Sequence, residues 1–201
     1  MSLPATPLLV SLIIDIAGET AREEGHQYVY CKSMGQVAQY LGWEQIAGVS
    51  SLCPLKPLPP GWSACIGRVE FRPRNSILPS QFSQMPVVQS INALSDSLAR
   101  YIRTEVLSRS RPAIVFLESF RLSQLLALTL ALYKVPAQQL SVWLMYRMNI
   151  HRQLTRPVFR LLHWFIARRI GARRLVLSAD SEPLAMLVLA LLFTMLLMRM
   201  R

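Results

Sequence analysis

From Leu8 to Ile14 every position but Ser11 is apolar, and the run stops at Asp15 with Gly18 shortly after. A short apolar run of this kind predicts a parallel strand buried on both faces. The polar loop Ala17 to Gly25 leads into a helix over His26 to Leu41. Its expected apolar stripe is Tyr30, Met34, Val37, Ala38 and Leu41, and Gly42 stands in position to end it. Trp43 to Val49 is the next strand. Strand, helix and strand within about 42 residues make one βαβ unit, expected to be right-handed.

Ser50 to Pro86 is rich in Pro and Ser and predicts an irregular surface excursion, with one short strand-like piece around Ala64 to Phe71. A long helix pattern follows from Met85 through Leu107, with Val88, Ile91, Leu94, Leu98, Ile102 and Leu107 near one face. The second half has a plainer rhythm: strand Ala113–Leu117, helix Leu122–Tyr133, strand Leu140–Met145, helix Leu154–Ile170, strand Arg174–Ser178. Alternation of this type predicts a three-layer, Rossmann-like α/β domain with a mostly parallel sheet over residues 1–185.

The pattern breaks near the end. Asp180-Ser-Glu-Pro183 is a good helix start, but Leu184 to Met198 is apolar throughout except Thr194. An apolar C-terminal helix is therefore expected, and residues 186–201 read as an aberrant tail. Fifteen helical residues span roughly 22 Å, short of a hydrocarbon core of about 30 Å. A surface helix would carry a polar side, and this one has none before Arg199.

Composition narrows the class. The chain has 201 residues, 52% hydrophobic, with 8 Gly and 3 Cys, which excludes a disordered tail, a collagen-like fibre and a disulfide scaffold. Cys31, Cys53 and Cys65 form no C-x-x-C pair and have no His at ligand spacing, so no metal site is expected and a reducing cytoplasm fits best. Lys and Arg number 22 against 11 Asp and Glu. No acidic residue falls between Glu118 and Asp180, while eight Arg lie from Arg147 to Arg174. Arg152, Arg156 and Arg160 recur at helical spacing, with Arg168 and Arg169 further on. With Leu154, Val158, Leu161, Trp164 and Phe165 between them, they predict a peripheral contact with an anionic membrane surface. Nucleic acid is disfavoured, because no RNP, KH or zinc-finger context accompanies the charge.

Dinucleotide and triphosphate cradles, H-E-x-x-H and G-x-S-x-G are all absent, so hydride transfer, P-loop hydrolysis and esterase chemistry lose their support, and no cofactor is expected. What remains is a set of polar residues at the carboxyl ends of the expected strands: Asp15, Gly18, Gly25, His26, Glu118, Ser119, Arg147, Asn149 and the group Asp180-Ser-Glu182. Strand ends of a parallel sheet share one edge, where ligands bind. His26, beside Gly25 at a helix start, is the catalytic candidate, a neutral imidazole able to take a proton or hold a hydroxyl. Each of these residues also suits a turn or a cap. His151 and His163 read as structural.

The order of residues resembles a family. Leu8 to Ile14, the polar loop, Gly25-His-Gln-Tyr-Val-Tyr30 and Ala38-Gln-Tyr-Leu-Gly-Trp43 are similar to the opening of the N-terminal lobe of GT-B glycosyltransferases. Arg111 to Phe120, Val142 to Arg147 and Val176 to Glu182 look like later strands of that lobe. The resemblance spans residues 7 to 185. It implies an acceptor-binding half of an enzyme that moves a sugar from a nucleotide-sugar donor to a sugar or lipid-linked acceptor without a metal. His26 would be catalytic, and Asp15, Gly18, Gly25, Glu118, Ser119, Arg147 and Asn149 would bind substrate. The donor-gripping second lobe, with its paired glutamates, has no counterpart here. The break near residue 185 then reads as a shifted or truncated frame, and little turnover is expected. The competing reading is a non-catalytic α/β binding or scaffold protein anchored to a membrane by its apolar C-terminal segment.

Overall fold

Every residue of β1 (Leu8–Ile13) is buried, as a central strand with helices on both sides requires. The computed structural model describes residues 6–14, 26–51, 53, 57–67, 87–146 and 156–179. After β1 come α1 (His26–Tyr40), β2 (Glu44–Ser50), β3 (Trp62–Ile66), α2 (Val87–Tyr101), β4 (Ala113–Glu118), α3 (Leu122–Tyr133), β5 (Leu140–Tyr146), α4 (Arg156–Ile170) and β6 (Leu175–Ala179). The six strands form one sheet in the order β3-β2-β1-β4-β5-β6, and every neighbouring pair is parallel. This is the Rossmann order, and the parallel α/β sheet agrees with that expected from the alternation of elements. The apolar C-terminal helix expected from the sequence lies outside the described residues.

The alternation of side chains in the central strands sorts the core into two layers. Leu8, Val10 and Leu12 of β1, Ala113, Val115 and Leu117 of β4, and Leu140, Val142 and Leu144 of β5 face one way. They pack with Leu94 and Leu98 of α2, Leu125, Leu128 and Leu132 of α3, and Leu162 and Ile166 of α4. The opposite face holds Leu9 and Phe116 with Ala38 of α1, and Ile13, Ala47 and Val49 with Cys31 of α1. Three described helices thus cover one face and α1 the other.

Three details differ from the periodicity reading. In α1 the buried positions are Cys31 and Ala38, with Met34 beside them, while Val37 and Leu41 are exposed. The expected stripe was therefore rotated toward the solvent side.

The helix expected to run to Leu107 ends as α2 at Tyr101 and continues as a π-helical turn, Ile102–Val106, and a short 3-10 turn, Leu107–Arg109. Buried positions Leu94, Leu98, Ile102 and Val106 recur every four residues. At 100° per residue such a series drifts by about 40° per step, and the wider π turn takes up the drift. As a result Val106 is buried and the expected Leu107 is half-buried against the core; Val88, at the start of α2, is exposed.

The third strand lies at Trp62–Ile66, earlier than the expected Ala64 to Phe71, and pairs with β2 as the sheet edge. Its residues are mostly half-buried or exposed, with only Ile66 fully buried, so it lacks the apolar signature of the central strands.

Polar contacts tie the amino-terminal edge. Arg109 and Arg111 both donate to the Glu44 carboxylate at the start of β2, Arg109 at 2.6 Å. Chiefly through the Arg111 hydrogen bond, they hold the Glu44 carboxyl below the usual carboxylate range. Gly48 leaves room for the Tyr101 ring, whose Cε1 would stand 2.7 Å from an added Cβ.

Candidate functional site

Strand order places the site. From β1 the chain runs outward through β2 and β3, then returns across the sheet to β4 and runs outward the other way through β5 and β6. The reversal falls between β1 and β4, which pair directly from Leu8 with Ala113 to Leu12 with Leu117. The carboxyl ends of two such strands are where open parallel α/β sheets bind their ligands. Because α1 links two parallel strands, it runs antiparallel to them, and its first residue, His26, belongs to that same edge.

Two of the expected binding residues, Glu118 and Ser119, stand at the end of β4. Glu118 is only 7% exposed. It pairs in register with Met145 of β5, and the Ser119 amide donates to the Met145 carbonyl at 3.2 Å. The backbone of Ser119 has φ 48°, a left-handed conformation that costs a residue with a Cβ about 1 kcal/mol or more. Ser110 shares that conformation, but there it closes an ordinary turn at the opposite end of β4. At Ser119 the same turn re-aims the chain directly after a buried carboxylate.

Below Glu118, on the α1 face, lies a small polar group that the sequence reading passed over. Gln45 Nε2 donates to Ser11 Oγ at 3.1 Å and to the Cys31 carbonyl at 2.8 Å. An added Cβ at Gly35 would collide with Gln45 Oε1, so this glycine makes room for the amide. Burial pushes the Cys31 thiol up to about 12; hydrogen bonding with Ser11 works against this, the nearby Glu118 charge adds to it, and Gln45 opposes it weakly. Cys31 is therefore a protonated, inert thiol at neutral pH. Ser11 was visible as the one polar residue in an apolar strand, but its partner is 34 residues away and no local pattern connects the two.

On the other face an aromatic group closes the same edge. Phe120 and Tyr146 meet edge-on with centroids 4.8 Å apart, and the Tyr146 hydroxyl stands 2.5 Å from His163 Nε2. Burial keeps the tyrosine protonated and lowers His163 to about 4, so the hydroxyl donates to a neutral imidazole. His163 is buried, in keeping with its structural reading.

The remaining expected residues divide. Asp15, Gly18, Gly25, Arg147, Asn149 and Arg152 lie outside the described residues, as do His151 and the group Asp180-Ser-Glu182. Arg156 opens α4. Arg160 is half-buried, and Arg168 is exposed with its guanidinium 5.3 Å above the Trp164 ring. Arg169 turns inward: its Nε donates to the Leu132 carbonyl at 2.9 Å, a second nitrogen donates to the Val135 carbonyl, and the group lies over the Tyr133 ring. Arg169 thus serves the C-terminal end of α3, while Arg168, Arg173 and Arg174 are exposed.

No described helix is long and apolar enough to cross a membrane, and no group of three or more His, Cys, Asp or Glu among the described residues could hold a metal ion. The fold is that of a Rossmann-like parallel α/β domain with a buried carboxylate at its switch point. Comparison of the chain with family models, curated proteins and solved structures finds no match.

Proposed function

We propose that this domain is the acceptor-binding half of a GT-B-type glycosyltransferase, holding a sugar or lipid-linked acceptor in the crevice between β1 and β4. The observation that carries the reading is the buried Glu118 at the carboxyl end of β4, at the reversal of a Rossmann-ordered sheet. A carboxylate accepts hydrogen bonds from sugar hydroxyls; the Glu118 oxygens are buried here, so the acceptor would have to displace what covers them to reach the carboxylate. The start of α1 at His26 brings the catalytic candidate to the same edge. Sequence resemblance suggests the class of reaction, and the switch point of a Rossmann-ordered sheet supports reading this edge as the acceptor side.

Saturation-transfer NMR with soluble saccharide acceptors tests the reading. It expects saccharide signals that Glu118→Gln weakens by about tenfold, the loss of one charged hydrogen bond. Absence of saccharide binding at millimolar concentration would overturn it. Little or no turnover of a nucleotide-sugar by these 201 residues is predicted.

A peripheral membrane contact is favoured by a separate observation. Val158 and Leu161 are 41% and 52% exposed on α4, one turn apart, and Trp164 and Arg168 continue the same side of the helix. Exposed aliphatics flanked by Trp and Arg suit an anionic lipid interface.

A further inference from the structure

The helices α2, α3 and α4, which share one face of the sheet, differ in what they turn outward. The exposed positions Asn92, Asp96 and Arg100 of α2 are polar, as befits a helix in water. α3 carries no charged residue in its 12 positions. Its Leu125, Leu128 and Leu132 point to the core, while Leu122, Leu126 and Leu130 on the outer side are half-buried and Tyr133, completing that line, is 46% exposed. The line continues onto α4. The Tyr133 and Phe165 rings meet edge-on with centroids 6.3 Å apart, the Tyr133 hydroxyl donates to the Phe165 carbonyl at 3.3 Å, and Phe165 stands one turn from the exposed Leu161. Two neighbouring helices thus share an apolar outer surface.

We infer that α3 and α4 together form one lipid-facing surface that rests on an anionic bilayer; this builds on the contact proposed for α4 and extends it to a second helix. The surrounding charge selects the partner. Neither helix holds an acidic residue, α4 holds Arg156, Arg160, Arg168 and Arg169, and Arg173 and Arg174 are exposed just beyond it. Asp96, the acid of α2, is bonded to Lys134 at 2.8 Å. An apolar centre with a cationic border matches acyl chains beneath anionic headgroups, whereas two copies meeting through this face would bring like charges together. Because α3 and α4 run antiparallel to the strands, the sheet would lie along the bilayer about one helix diameter, roughly 10 Å, above it. The edge that holds Glu118 then opens along the lipid surface rather than into it.

The test is photo-crosslinking of the full chain, with benzoylphenylalanine at position 126, 133 or 161, to vesicles of phosphatidylglycerol and phosphatidylcholine. Position 40, on α1 and 90% exposed, is the control. Lipid adducts are expected at 126, 133 and 161, about tenfold or more above position 40, and should fall about tenfold on phosphatidylcholine alone, since each Arg near an anionic surface adds to the attraction. Position 133, where one exposed aromatic replaces another, decides the matter should the probe at half-buried 126 unfold the chain. Adducts at 161 without any at 133 would overturn the two-helix surface and leave the α4 contact standing, whereas adducts at none of the three would overturn both. Equal yields at position 40 or on neutral vesicles would also overturn the inference, as would chain-to-chain crosslinks from 133 in place of lipid adducts, which would assign the face to a second copy.

Discussion

Ser119 is where local strain and the proposed site coincide. Its left-handed backbone is relieved by glycine and aggravated by a β-branched side chain, so Ser119→Val should be less stable than Ser119→Gly by about 2 kcal/mol in urea unfolding. Equal stability of the two would show that the turn relaxes at no cost. His163 gives a pH signature. Its folded value of about 4 lies below the ordinary 6.5, so the unfolded chain takes up the proton first as pH falls. The contribution is complete above about pH 6.5 and is lost progressively toward pH 4, amounting to at most about 3 kcal/mol. Urea midpoints should therefore rise between pH 4 and 6.5, and His163→Phe should flatten that rise even if it lowers stability throughout.

Among the elements, those with a one-sided or fully buried apolar pattern were legible in the sequence, and those shaped by distant neighbours were not. β1, β4 and β5 announce themselves as apolar runs because they lie in the middle of the sheet. β3 is an edge strand between polar, proline-rich stretches, and only its pairing with β2 defines its ends. The π turn after α2 leaves a trace in the four-residue spacing of Leu94, Leu98, Ile102 and Val106, which a fixed 3.6-residue template rounds away. For the site, Glu118 and Ser119 were legible as polar residues ending an apolar run, whereas the contact of Gln45 with Ser11 and Cys31 exists only once β2 lies beside β1 under α1. The same long-range packing makes Gly48 a sensitive position. Gly48→Ala pushes a methyl group into the Tyr101 ring and should cost about 1 to 3 kcal/mol, measured by thermal or urea unfolding.

At the scale of the molecule, sheet order links the separate observations. One reversal of direction, between β1 and β4, marks the edge where a ligand would bind, brings the start of α1 to it and leaves, among the described residues, three helices on one face against one on the other. The exposed side of α4 belongs to the three-helix face. Leu161→Glu should accordingly reduce pelleting with anionic vesicles by about tenfold at low salt without changing the melting temperature, since Leu161 is 52% exposed. Unchanged pelleting would contradict the proposed membrane contact of α4.

The central claim is that an acceptor sugar sits at the carboxyl ends of β1 and β4. It is tested most directly by mapping amide chemical shifts of the isotopically labelled chain during titration with a soluble saccharide. The account predicts that the largest changes fall at Ser119, Glu118, Ile14 and the first turn of α1, and that Glu118→Gln suppresses them while the rest of the spectrum is kept. Changes concentrated at the amino-terminal edge around Glu44 and Arg111, or on the outer side of α4, would contradict it.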